Sequence, residues 1–172
     1  MKLNISKISK YDGNSIKFSF SCSDKEYEFD FNGETLKFFP PVTVTGSAIN
    51  EGGMIKVELE CSARVERDCG RCLEKYEINS ESKGVFNFTR EIKDIDDDYY
   101  LYENDIIDLS DIVLGELALT LDMKPLCSDD CAGLCMTCGE NLNKSTCNCN
   151  QEKIDPRFAA LSKFFDTNQG GV

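Results

Sequence analysis

Apolar and polar residues alternate along most of the first ninety positions. Ser15-Ile16-Lys17-Phe18-Ser19-Phe20 and Tyr27-Glu28-Phe29-Asp30-Phe31 put every second side chain on an apolar face, the period of a strand with one side buried. Val42 to Ile49 carries Val42 and Val44 among threonines and ends in the turn-forming Asn50-Glu51-Gly52-Gly53. Met54 to Val65 returns with Ile55, Val57, Leu59, Cys61, Ala63 and Val65 on one face, so the two stretches predict a hairpin. A break at Asp68 to Cys72 precedes another strand-like stretch from Leu73 to Phe88.

The period then lengthens. Leu109, Ile112, Val113, Leu117 and Leu121 recur at helical spacing and predict a helix from about Leu109 to Leu121. Asp108 reads as its N-cap, Asp111 places acid in the first turn, and Lys124-Pro125 closes it. A shorter helix is predicted to start at Asp155-Pro156, with the aspartate as cap and proline at the first helical position. Its apolar face is Phe158, Leu161, Phe164 and Phe165, and the ending TNQGGV reads as a frayed tail.

Composition narrows the chemistry. The 172 residues suit one ordinary domain with an appendage, and 41% hydrophobic residues suffice for a core. The longest apolar stretch, Ile112 to Leu121, is interrupted by Gly115, Glu116 and Thr120 and is too short to span a bilayer. The N-terminus lacks an apolar export core, so a soluble cytoplasmic protein is expected. Nineteen basic against 31 acidic residues give a net charge of −12, which argues against broad phosphate-backbone binding. Nine acidic residues and one lysine between Glu91 and Asp111 carry two thirds of that excess, interleaved with Tyr99, Tyr100, Leu101, Tyr102, Ile106 and Ile107. The stretch reads as a short strand, a partner-facing loop or a solvated one. The absence of histidine rules out Ser-His-Asp triads, Cys-His dyads and histidine-bound metals.

Cysteine carries the remaining signal. Eight of ten fall into close pairs: Cys69/Cys72, Cys127/Cys131, Cys135/Cys138 and Cys147/Cys149. Two residues between cysteines let a tight turn aim both sulfurs at one tetrahedral ion, and an i, i+2 pair in an extended segment does the same. In a reducing compartment such pairs point to metal before disulfide. Cys135, Cys138, Cys147 and Cys149 predict one local four-thiolate site, with Gly139 free to take a positive φ. Cys69, Cys72, Cys127 and Cys131 then form a second, which would pin the β region to the start of the C-terminal segment. An alternative pairing, which spacing alone does not exclude, joins Cys127 and Cys131 to Cys135 and Cys138 and leaves the other two pairs to combine; the first arrangement is favoured. Two closed structural Zn2+ sites are expected, an iron–sulfur cluster being the alternative; each zinc with four thiolates adds −2, taking −12 to −16. Cys61 and Cys22 read as core and strand-end residues.

The predicted architecture is α+β: a twisted antiparallel β-sheet or partly open barrel with one packed helix and a C-terminal cysteine-rich zinc module. Residues 1–125 form the β-rich domain, 126–166 the metal-binding module with its short helix, and 167–172 a disordered tail.

The stretches Cys69-Gly70-Arg71-Cys72-Leu73-Glu74, Ile107 to Leu121 leading into Pro125-Leu126-Cys127, Gly133-Leu134-Cys135-Met136-Thr137-Cys138-Gly139-Glu140-Asn141-Leu142-Asn143 and Asp155-Pro156-Arg157-Phe158-Ala159-Ala160-Leu161 resemble, in that order, the YceD family of bacteria. Its members are also called large ribosomal RNA subunit accumulation proteins. Met136 departs from the proline that members often carry in the knuckle, which softens the turn without removing a ligand. The resemblance implies a role in accumulation or processing of large-subunit ribosomal RNA. With a charge of −12, that role is expected to be non-enzymatic and to run through a ribosomal protein or assembly factor, with the Glu91–Asp111 stretch as the contact surface. Direct RNA binding is the alternative, through Lys144, Lys153, Arg157 and Lys163, which Glu140, Glu152, Asp155 and Asp166 offset. An enzyme reading ranks lower: thiol redox chemistry at Cys69/Cys72, or Mg2+-dependent nuclease chemistry at Asp94, Asp96, Asp97 and Asp98.

Overall fold

The computed structural model describes residues 1–91 and 99–149. The chain divides into two compact units: Met1–Gly70 with Glu74–Cys127, and Arg71–Leu73 with the chain from Ser128. Regular structure runs in the order β1 (Lys2–Asn4), β2 (Ser15–Cys22), β3 (Tyr27–Phe31), β4 (Glu34–Glu51), β5 (Met54–Asp68), β6 (Lys75–Thr89), β7 (Tyr99–Leu101), β8 (Ile106–Asp108) and α1 (Ser110–Leu119). Strands dominate and α1 is the single helix among the described residues.

The first unit is built on a six-stranded open sheet in the order β2-β4-β5-β6-β7, with β3 paired to the early part of β4. Every pairing is antiparallel except β6 with β7, which is parallel and so departs from the expected all-antiparallel sheet. β4 and β5 form the expected hairpin, closing Glu51 opposite Met54 around Gly52 and Gly53, whose positive φ values of 65° and 92° suit glycine. β4 begins well before the predicted Val42, because Leu36 and Phe38 extend the buried face and Asn32-Gly33, both at positive φ, turn the chain back from β3. The β4–β5 register shifts between Phe39 and Thr43, around a Pro40–Pro41 pair joined by a cis peptide.

One face of this sheet holds the core. Ile55, Val57, Leu59, Cys61, Ala63 and Val65 on β5 are all buried, beside Val42, Val44 and Ala48 on β4 and Phe86 and Phe88 on β6. The opposite face is solvated and carries Arg64–Glu77, Lys75–Glu66 and Lys83–Glu60 ion pairs. Such exposed pairs contribute little to stability.

α1 lies against β3, β5 and β6 and buries Val113, Leu114, Leu117 and Ala118, with Leu109 just before it. Ile112 and Leu121, expected on the buried side, are only partly covered, while Leu114 and Ala118 take up the contact. The helix is shorter than predicted, and its N-cap position is Leu109 rather than Asp108. The Asp108 carboxylate still accepts the Ser110 N–H at 3.0 Å, so it serves the helix start from one residue further out. Ser80 of β6 donates its hydroxyl to the Leu117 carbonyl at 2.8 Å, and Ser82 donates to the Glu116 carboxylate at 3.0 Å. Arg67, 9% exposed, donates to the Asp122 carbonyl beyond the helix and to the Glu34 carboxylate. β1 and β8 form a separate two-stranded ribbon with Leu3 opposite Ile107, both buried.

The expected helix from Asp155-Pro156, its Phe158, Leu161, Phe164 and Phe165 face and the 167–172 tail lie outside the described residues, as do Asp94, Asp96, Asp97 and Asp98. No helix among the described residues is long and apolar enough to cross a membrane.

Two substitutions test this packing. A Cβ at Gly46 would stand 2.2 Å from the Glu58 carbonyl oxygen and 2.9 Å from the Phe18 ring, on a strand paired on both sides. Gly46→Ala is therefore expected to lower stability by about 1–3 kcal/mol, read from the midpoint of urea unfolding. Asn50, 3% exposed, donates to the Ile8 carbonyl at 2.8 Å and accepts the Gly53 N–H at 2.8 Å. Asn50→Ala leaves these groups without their partner and is expected to cost about 1–3 kcal/mol in the same measurement.

Candidate metal centres

β5 and β6 are joined by the segment that carries Cys69 and Cys72. It is held at both ends: the Cys69 N–H donates to the Glu74 carbonyl at 2.9 Å and the Gly70 N–H to the Pro125 carbonyl at 2.8 Å. The Cys127 N–H points at the Cys69 sulfur, 3.4 Å away. Leu73 takes a left-handed φ of 59° directly after Cys72, a conformation a leucine rarely holds without local support. The sulfurs of Cys69, Cys72, Cys127 and Cys131 all lie within 4.8 Å of one another, with Cys127 exposed and the other three buried.

In the second unit the Ser128-to-Cys131 turn closes through the Cys131 N–H, which donates to the Ser128 carbonyl at 3.1 Å. The Arg71 guanidinium donates to the carbonyls of Asp129 and Cys131 at 3.2 and 3.0 Å, bracing that loop. Gly133 follows at φ 72°, where a Cβ would stand 3.2 Å from the Arg71 carbonyl oxygen. Both its conformation and the close backbone favour glycine.

Cys135 to Gly139 forms a tight knuckle. The Thr137 N–H points at the Cys135 sulfur at 3.4 Å, and the Gly139 N–H donates to the Cys135 carbonyl at 2.9 Å with Gly139 at φ 75°. Cys135, Cys138, Cys147 and Cys149 bring their sulfurs within 4.8 Å of one another, Cys138 being exposed and Cys135 buried. The loop between Cys138 and Cys147 folds back on the knuckle: the Cys135 N–H donates to the Glu140 carbonyl and the Leu142 N–H to the Gly133 carbonyl, at 2.8 and 2.9 Å.

Electrostatics in this second group are strained by proximity of like groups. Backbone N–H groups of Cys138 and Thr137 hold the Cys135 thiol down to about 6. Cys149, hydrogen-bonded to the Cys138 side chain and facing its charge, is pushed up to about 12. Cys61 lies apart on β5, where burial pushes its thiol up to about 11, and Cys22 ends β2.

The two cysteine groups can each hold a metal ion. Zn–S bonds of about 2.3 Å put tetrahedral sulfurs about 3.8 Å apart, which suits groups whose sulfurs all lie within 4.8 Å of one another. The alternative set joining Cys127 and Cys131 to Cys135 and Cys138 is not adopted. Of the basic residues considered for RNA, Lys144 donates its N–H to the Asn141 carbonyl at 3.1 Å, while Lys153, Arg157 and Lys163 lie outside the described residues. Two residues support the groups. Arg71 is legible in the sequence as a positive charge beside two thiolates, but the carbonyls it reaches are not. Asn143, whose N–H donates to the Asn141 side chain at 3.0 Å, belongs to an Asn-x-Asn turn whose spacing is legible.

A family model described as large ribosomal RNA subunit accumulation protein YceD matches residues 57–165. A Bacillus subtilis relative named YlbN, an uncharacterized protein, is 29% identical over 133 residues, 74% of this chain and 76% of its own length. An Arabidopsis thaliana relative, named large ribosomal RNA subunit accumulation protein YCED homolog 1, chloroplastic, is 32% identical over 63 residues, 37% of this chain and 20% of its own. A Mycobacterium bovis relative, also an uncharacterized protein, is 38% identical over 58 residues, 34% of this chain and 28% of its own. No solved structure matches the chain. The matched span takes in both cysteine groups, and the chain belongs to the YceD family, the family named for large ribosomal RNA subunit accumulation.

Proposed function

We propose that this protein is a non-enzymatic, zinc-binding factor of ribosome biogenesis that supports accumulation or processing of large-subunit ribosomal RNA through protein partners in the cytoplasm. The observation that carries the reading is the gathering of eight cysteines into two four-sulfur groups in a chain of this family. Four thiolates close the coordination shell of Zn2+ and leave no position for a reactive water, which favours scaffolding over hydrolysis. A polynuclear iron–sulfur cluster would set its cysteine sulfurs further apart than a single ion does, which favours the mononuclear site. With their sulfurs ligated, Cys69 and Cys72 are not available as a redox pair.

The partner reading rests on charge. At −12 before any thiolate is counted, the chain opposes a phosphate backbone and suits a basic protein surface. The described part of the Glu91–Asp111 stretch supports it, since Tyr100 and Leu101 are 43% and 58% exposed beside Glu103 and Asp105. Tyr100 is steadied by ring contacts with Phe86 and Phe88, at centroid separations of 6.0 and 5.5 Å.

Elemental analysis of protein purified without chelator is expected to give two zinc per chain. Thiol titration of the same sample should find Cys22 reacting readily and Cys61 slowly, because burial holds that thiol near 11 and leaves little thiolate at neutral pH. Ten reactive thiols and no metal would overturn the reading; one zinc with Cys69 and Cys72 free would return the redox alternative. Pull-down of basic ribosomal proteins by the wild type, lost when Asp96, Asp97 and Asp98 are changed to Asn, is expected for the acidic contact surface. Retention on immobilised ribosomal RNA with a steep salt dependence, unaffected by those changes, would favour direct RNA binding instead.

A further inference from the structure

The loop between Cys138 and Cys147 does more than span two ligands of one group. Its Asn143 side chain reaches the sulfur of Cys131, a member of the other group: Nδ2 donates to that sulfur at 3.3 Å. The amide is fixed from three directions. The same Nδ2 donates to Asn141 Oδ1 at 2.9 Å, the Asn143 N–H donates to that oxygen at 3.0 Å, and Asn143 Oδ1 accepts the Ala132 N–H at 2.7 Å. The turn that presents it is closed by the Lys144 and Ser145 N–H groups on the Asn141 carbonyl, both at 3.1 Å, and by the Ser145 hydroxyl on Glu140.

We propose that Asn143 couples the two metal sites, so that filling the Cys135/Cys138/Cys147/Cys149 site strengthens metal binding by the Cys69/Cys72/Cys127/Cys131 site, and the reverse. This rests on the metal-binding reading above and deepens it. A neutral N–H donor aimed at a thiolate disperses charge that four sulfurs around a divalent ion leave in excess, and such outer-shell partners tune affinity. The donor is present only while the loop holds its turn, and the ends of that loop are Cys138 and Cys147. A metal ion joining these two residues therefore holds Asn143 against Cys131. By linkage, an ion that fixes Cys131 as a thiolate strengthens its hold on Asn143 and on the loop to which the second ion binds.

Asn143→Asp keeps the side chain's size and the oxygen that accepts the Ala132 N–H, but puts a charged oxygen where Nδ2 met the Cys131 sulfur and Asn141 Oδ1. Asn143→Ala, which removes all three side-chain contacts without adding a charge, serves as the second variant. The measurement is native mass spectrometry of the full chain during stepwise removal of Zn2+ by a chelator, counting chains with two, one and no metal. For the wild type, passage from two ions to none with little one-metal species is expected. For both variants, the one-metal species should accumulate, with one site weakened by about 10–100-fold. Equal amounts of the one-metal species in wild type and variants, with two ions still bound at the outset, would overturn the coupling and leave the metal sites standing. A wild type that never binds two ions would overturn both.

Discussion

Everything in the first unit depends on the register of β5 between β4 and β6. Side chains along a strand alternate between faces, so a slip of one residue would turn Ile55, Val57, Leu59, Cys61 and Val65 to solvent and bring Lys56, Glu58 and Glu60 into the core. The apolar face alone forbids that slip, and the Gly52-Gly53 turn fixes the same register from the hairpin end. Where side chains leave no room the backbone enforces it again: Gly46 faces Leu59 with Phe18 over it, a spot with no space for even a methyl group. Three independent features thus agree on one pairing, which is what a single well-defined sheet needs.

That register also decides where the chemistry begins. The β5–β6 ladder runs to Asp68 opposite Lys75, and the residues left over to make the connection are those of the Cys69-Gly70-Arg71-Cys72 segment. A slip in the sheet would move both sulfurs and the hydrogen bonds from Cys69 to Glu74 and from Gly70 to Pro125 that fix the connection. The sheet is in this sense the ruler for the first cysteine group. The second group needs no such ruler, because its knuckle, its returning loop and the Leu134–Asn141 bridge all lie within fifteen residues of sequence.

The contrast explains what could be read in advance. Strands β2 and β3, the β4–β5 hairpin and most of β6 announce themselves by period two, and α1 by period 3.6, since each buries one face against the same core. The early half of β4 was legible only through Asn32-Gly33 together with the alternation of Leu36 and Phe38. The parallel pairing of β7 had no sequence signal, because three residues are too few to show a period and pairing direction is decided by where the chain returns. At the helix start, Asp108 was recognised as a hydrogen-bond acceptor for the first turn, but the half-helical position fell to Leu109, whose burial in the core outweighs the preference for a polar cap. Cysteine spacing marks which residues could hold a metal ion and leaves their grouping open, because grouping depends on long-range contacts. The partners of Arg71 and Asn143 are illegible for the same reason: they lie far along the chain, the carbonyls of Asp129 and Cys131 for one and the sulfur of Cys131 for the other.

Charge joins these parts into one physical problem. A chain at −12 gathers eight sulfurs into two tight groups, and the Arg71 guanidinium, donating to the Asp129 and Cys131 carbonyls, stands beside the first. Polarised N–H donors also point at the sulfurs, among them the Cys127 amide on Cys69, the Thr137 amide on Cys135 and the Asn143 carboxamide on Cys131. Donors of this kind stabilise negative charge without adding a counter-charge, so they leave the chain as acidic as its composition makes it. An acidic surface repels nucleic acid at the distances where association begins and attracts basic proteins at the same distances. The same field is the physical ground of the protein-partner reading proposed above, since it favours contact with basic proteins over contact with a phosphate backbone.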